Sequence, residues 1–274
     1  MSMSKWDLKE TPKSSHSNIQ SFLDSVTPTV PTTQTEKVEC FSFKHLWEFY
    51  LEWSIYGAGA PIILQTGDKT VQYYSPTLSA LQISTNQPVS CYRKSETSLD
   101  HEHGNGGIPY CQFNEPTSPY SRIPFSEKVY ELAKSYPALL TLKSTDVSAD
   151  SWMSVAWYPI YQIPQVTNVK ELSASFLTYH KLSTSSIMAK GHLPNSKEKE
   201  NMSRGSKGNN LGSEIKIPPF AMASYKMFGT LWTNLGSTDQ NTIHSHLNAA
   251  ASWLNQQNFW HPDFDFFVSR CHRY

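Results

Sequence analysis

His261 and Asp263, separated by one proline, place an imidazole close to a carboxylate, the pairing that a general base and its orienting partner need. Ser154 sits in an aromatic run and His180 follows Tyr179 near the end of another apolar segment. Ser154, His180, His261 and Asp263 can therefore be drawn as a catalytic set, and its chemistry would be hydrolysis of a small ester or glycoside. Ser154 lacks the Gly-x-Ser-x-Gly turn that exposes such a serine in many hydrolases. Asp263 has a plainer use, as the cap of a final helical turn ahead of Phe264, Phe266 and Phe267.

Cys91, His101, His103 and Cys111 supply two sulfur and two imidazole donors, the number that a tetrahedral zinc site requires. Their spacing matches no familiar finger, and a glycine-rich polar loop is the better account of them, so no metal is assigned. His244 and His246 lie two apart on an expected helix and point to different sides. Gly57-Ala58-Gly59 follows a helical pattern, is too short to cradle a phosphate, and reads as a helix stop. No cofactor motif is present.

The densest feature is DSWMSVAWYPIYQIP, Asp150 to Pro164. Read with the period of two of a strand, it puts Met153, Val155, Trp157, Pro159, Tyr161 and Ile163 on one face. The other face holds Trp152, Ser154, Ala156, Tyr158, Ile160 and Gln162. Its small residues between two rings would accept a close-packed helix or line a shallow groove, which makes Trp152, Ser154 and Tyr158 the candidate ligand- or partner-binding residues. Pro159 cannot donate to a ladder, so the strand is expected at an edge, bulged, or leaving the sheet there.

These residues need a frame. Ile19, Phe22, Leu23 and Val26 fall on one face of a helix capped by Ser17, and a stronger stripe marks a helix from Ser42 to Trp53. Strands are expected at Pro61 to Thr66 and Thr70 to Tyr74, joined across Gly67-Asp68, and a third at Leu78 to Ile83. Helices follow at Ser126 to Ser135 and Thr238 to Gln257, and further strands at Ser173 to Leu182 and Phe220 to Leu231. Residues 1–16 read as a disordered tail, and about 84–124 and 183–216 as disordered inserts in one domain spanning 17–274. The class is α+β, with a mainly antiparallel sheet of about six strands and about four packed helices.

Lys plus Arg and Asp plus Glu both number 23, a balance that argues against nucleic acid or an anionic membrane as partner. Single-stranded RNA binding by stacking on Trp152 and Tyr158 is an alternative that this neutrality disfavours. No stretch is long and apolar enough for a signal peptide or a bilayer span, and the four scattered cysteines form no Cys-x-x-Cys pair. An intracellular protein of cytoplasm or nucleus, with a protein or small-molecule partner, is the expectation.

Several blocks together resemble a plant family without assigned activity, domain of unknown function 789. They are SNIQSFLDSVTPTVP at 17–31, EWSIYGAGAP at 52–61, VQYYSPTLSALQI at 71–83, SWMSVAWYPIYQIP at 151–164, SFLTYHKLST at 175–184, PFAMASYKMFGTLW at 219–232 and HPDFDFF at 261–267. NQQNFW before His261 and the HEHGNGG of the first insert depart from that pattern. The resemblance brings no catalytic residues with it. With no catalytic motif elsewhere, a non-catalytic binding or scaffold domain is the first expectation and a small-molecule hydrolase the second.

Overall fold

The computed structural model describes residues 17–35, 38–88, 107–160, 172–188, 213–233 and 238–269. Local chemistry sets the first elements. Helix α1 (Asn18–Ser25) starts where the Ser17 hydroxyl accepts from Gln20 N, and α2 (Phe43–Tyr56) starts at Ser42 and ends at Gly57, whose φ of 78° favours glycine. Two short ribbons follow from chain proximity and crossover, β1 (Thr29–Pro31) with β9 (Glu214–Lys216) and β2 (Thr33–Thr35) with β3 (Val38–Cys40).

The main sheet has six antiparallel strands: β4 (Ala58–Ile63), β5 (Lys69–Thr85), β6 (Ile108–Asn114), β7 (Trp152–Pro159), β8 (Ser175–Lys181) and β10 (Ala221–Tyr225). The order is β10-β8-β7-β5-β4, with β6 also on β5. The Gly67-Asp68 turn joins β4 to β5 as expected, closed by Leu64 N donating to Asp68 O at 2.8 Å. The two strands expected at Thr70 and Leu78 are one continuous strand. β4 leaves β5 at Tyr74 and β6 joins it at Ala80, so Pro76 lies in the gap between them, where no donor is needed.

Both faces of the sheet are packed. Met153, Val155 and Trp157 meet α1, α2 and α3 (Phe125–Ser135); the Trp157 ring lies against Phe22, Tyr50 and Trp53. On the other face Ala80, Ala156, Ala221 and Ala223 let α5 (Asp239–Gln256) and α6 (Pro262–Ser269) approach closely, burying Ala250, Leu254 and Phe267. Of the two uses open to this small-residue face, the close-packed helix is the observed one. Trp152 and Ser154 are fully buried, and Tyr158 is half-buried.

Several boundaries differ from the sequence expectation. β7 is a central strand, not an edge, and of the three placements expected for Pro159 the observed one is at the end of the strand, beyond β8's pairing. The expected insert at 84–124 contains β6, whose Cys111 faces the core, and the expected insert at 183–216 contains α4 (Thr184–Met188) and β9. The strand expected at 220–231 stops at Tyr225 because Lys226 takes a left-handed φ of 57°. The tail at 1–16, the residues 161–164 of the aromatic run, and Cys91, His101, His103 and Cys271 lie outside the described residues. Among the described residues, no helix is long and apolar enough to cross a membrane.

Candidate functional site

One buried cluster gathers the residues capable of chemistry. It starts at Ser79, the extra residue where the register of β5 against β7 shifts between Leu78 and Ala80. Ser79 O accepts from Glu115 N at 2.9 Å, just past the end of β6. The Ser79 hydroxyl reaches across the small-residue face to the start of α6, where it lies 2.9 Å from His261 Nε2 and donates to Asp263 Oδ2. The other ring nitrogen, His261 Nδ1, is 2.8 Å from the Tyr179 hydroxyl.

Arg122, from the loop after β6, closes the cluster. Its Nη1 donates to Asp263 Oδ2 at 2.7 Å and its Nη2 to Asp263 Oδ1 at 2.6 Å, a two-pronged pair. Nε and Nη2 also donate to Thr117 O, and Nη1 to the Tyr158 hydroxyl at 3.4 Å. All five guanidinium donors are thereby used. Thr117 is itself fixed by Glu115, whose carboxylate accepts from Thr117 N and Oγ1. Burial alone would lower the Arg122 pKa; the hydrogen bonds and charge of Asp263 reverse this and raise it.

The directions of the hydrogen bonds follow from valence. Burial pushes His261 down to about 4, so the ring is neutral and carries one N–H. The Ser79 proton goes to the Asp263 carboxylate, which only accepts. Ser79 must then accept from His261 Nε2–H, which leaves Nδ1 to accept the Tyr179 hydroxyl proton. Every proton thus points toward Asp263, and His261 donates to the serine instead of accepting from it. This is opposite to the order in which a histidine activates a nucleophile. Burial pushes the Tyr179 phenol well up, the Ser154 hydroxyl opposing that rise.

The residues singled out in the sequence divide. His261 and Asp263 come together, but with Ser79, Arg122 and Tyr179. Asp263 lies inside the first turn of α6, and its carboxylate serves Arg122 and Ser79 in place of the expected cap. Ser154 pairs in register with Tyr179 on the α6 side of the sheet. His180 pairs with Met153 and projects from the opposite side, so Ser154 and His180 do not meet. Its Nδ1 donates to Ile217 O at 3.0 Å and its Nε2 accepts from Thr178 Oγ1 at 2.9 Å, while burial pushes it down to about 4.

Burial pushes the Cys111 thiol up to about 12, which keeps it protonated. Among the described residues, no group of three potential metal ligands forms. Sequence reasoning missed both Ser79 and Arg122. The serine sits in an apolar strand and the arginine in a polar stretch; only the isolation of Arg122 before Ile123-Pro124-Phe125 hinted at a buried charge.

The cluster is closed to solvent: Ser79 is 0% exposed and the Arg122 and Asp263 side chains 2% and 8%. A cavity of about 300 Å³ lies elsewhere, between Thr85 to Pro88 and Leu142, Thr145 and Asp146. The accessible apolar surface gathers instead around β4, where Ile55, Tyr56, Val71, Tyr73 and Ile160 are all exposed. They surround Gly57 and Gly59: a Cβ on Gly57 would meet Ile160 Cδ1 at 2.6 Å, and one on Gly59 would meet Val71 Cγ1 at 3.1 Å.

No curated protein and no solved structure matches the chain. A family profile, described as "Protein of unknown function (DUF789)", matches residues 17–105 and 90–267, from the Ser17 cap to Phe267 of α6 and so across the whole buried cluster. With that coverage, the chain belongs to the DUF789 family.

Proposed function

We propose that the protein is a non-catalytic binding or scaffold domain that works inside the cell. The observation that carries this reading is the state of Ser79, the serine nearest a histidine and a carboxylate, which is fully buried and has its proton committed to Asp263. Both Asp263 oxygens are engaged by the two-pronged Arg122 contact, so neither stands open to a substrate. The free, buried thiol of Cys111 suits a reducing compartment.

The face that supports binding is the apolar surface around β4, and the occupant that fits it is an extended segment of another protein. Among the described strands, β4 lies at an edge. Ile63 turns its N–H and C=O outward to the Asn18 side chain, both at 2.8 Å, so by the period of the strand Pro61 and Gly59 present theirs on the same edge. A strand added there would find the Gly59 donor and the Gly59 and Pro61 acceptors. Beside them lies a bare Gly-Pro floor next to Val71 and Tyr73, where bulky alternate side chains would rest.

The test compares proteins crosslinked in cells to the natural chain with those crosslinked to the Val71→Lys, Tyr73→Lys variant, after circular dichroism shows both folded. Loss of specific partners from the variant supports the reading. Retention of every partner, or labelling of the native protein by a fluorophosphonate at a serine, overturns it.

A further inference from the structure

We infer that Ser118 is a phosphorylation site whose modification loosens the clasp holding α6. Ser118 is exposed and precedes Pro119, with an extended backbone at φ −63° and ψ 154°. That is the conformation in which protein kinases take a substrate strand, and the proline after the serine is the feature that proline-directed enzymes require. The residue opens the short turn Pro119–Ser121, and its hydroxyl has only a long 3.4 Å contact with Ser121 Oγ, so nothing buried is lost when it reacts. In the transfer, Ser118 Oγ bonds to the γ-phosphorus of a nucleoside triphosphate. The bond from that phosphorus to the bridging oxygen breaks, nucleoside diphosphate leaves, and the hydroxyl proton passes to the kinase base.

What makes this serine more than an exposed one is the peptide unit it belongs to. Thr117 O, in the same peptide unit as Ser118 N, accepts from Arg122 Nε at 3.1 Å and Nη2 at 3.0 Å. The same guanidinium carries Asp263 and with it the start of α6. The charged groups here are Arg122, Asp263 and Glu115, one cation facing two carboxylates, with the Tyr158 and Tyr120 phenols beside them. A phosphate adds close to two negative charges to this set. It also finds no free donor on Arg122, all five being used. Displacing Asp263 outright would leave a buried charge unpaired, at a cost of several kcal/mol that a surface phosphate cannot repay. The result is therefore repulsion and a loosened clasp, with no new ion pair.

The experiment treats the full chain with a proline-directed kinase and ATP, locates phosphate by mass spectrometry, and follows amide hydrogen exchange at 262–269. Phosphate at Ser118 and exchange in α6 about tenfold faster are expected, the size of about 1.4 kcal/mol of local destabilisation. Ser118→Ala removes both effects, Ser121→Ala keeps both, and Ser118→Glu reproduces part of the faster exchange without kinase. Failure to modify Ser118 under conditions that modify a Ser-Pro control peptide overturns the inference. So does a phosphorylated chain whose α6 exchanges at the unmodified rate.

Discussion

Arg122 and Asp263 form a two-pronged ion pair, at 2.7 and 2.6 Å, between side chains that are almost wholly buried. Such a pair is a weak source of net stability when formed, because both charges leave water, but breaking one half strands the other. Asp263→Asn keeps the shape and removes the charge, leaving the Arg122 cation buried alone. A loss of about 3–5 kcal/mol in urea unfolding is expected. Lys44→Ala, at the exposed Lys44–Glu48 pair, is expected to cost about 0.5 kcal/mol or less. Similar costs for the two variants would show that the buried pair is not what fixes α6.

Ser79 and Ser154 are both buried on the α6 side of the sheet, yet only Ser79 joins two other groups of the cluster. Ser79→Ala leaves the His261 N–H without its acceptor and takes one donor from Asp263, at a cost of about 1–3 kcal/mol. Ser154 sits among Ala80 and Ala156, and alanine there fits the same packing. Its removal is expected to cost about 1 kcal/mol or less. Denaturant midpoints of the two variants decide the matter, and the reverse ranking would contradict the hydrogen-bond directions assigned above.

His180 and His261 make stability depend on pH. Burial lowers each from 6.5 to about 4, so the folded protein keeps both imidazoles neutral while the unfolded chain protonates as the pH drops below 6.5. Their contribution is complete above 6.5 and is lost progressively toward 4, at up to about 1.4 kcal/mol per pH unit for each ring. Unfolding free energies at pH 7, 6 and 5 should fall with a slope approaching two protons, in a range where carboxylates are still ionised. Replacing His180 by asparagine should remove about one of them. Equal stability at pH 7 and pH 5 would mean that neither ring is buried as described.

What the sequence made legible was local. The Ser17 cap, the Gly57 stop and the Gly67-Asp68 turn each depend on residues within a few positions, and each stands where expected. Alternation along the aromatic run also sorted the faces of Trp152 to Tyr158 correctly, because a strand's period is fixed by geometry. The cluster was half legible. His261 and Asp263 stood out because they are near one another, but the partner of Asp263 is 141 residues away. Ser79 could not be found at all, since its orientation depends on a bulge placed where β4 has ended and β6 begins. Composition misled at 107–124, where residues that looked like an insert pair with β5 as β6 and, at Glu115 and Thr117, fold around Arg122.

Three glycines separate crowding from backbone strain. A Cβ on Gly107 would lie 2.6 Å from Ser148 Cβ and 2.7 Å from Thr85 O, where neither a rigid side-chain root nor a carbonyl can yield. Gly107→Ala should cost about 1–3 kcal/mol through that clash, pushing the start of β6 away from β5. Gly57 combines a φ of 78° with a Cβ position 2.6 Å from Ile160 Cδ1, the movable end of a side chain, so its alanine variant carries strain plus a smaller steric cost. Gly67 has a φ of 88° and nothing within 4 Å, so Gly67→Ala isolates the strain alone, about 1 kcal/mol. Thermal or urea unfolding of the three variants should rank Gly67→Ala as the mildest. If Gly107→Ala proves as mild, the contact between Thr85, Gly107 and Ser148 is looser than described, and β6 is not locked at that end.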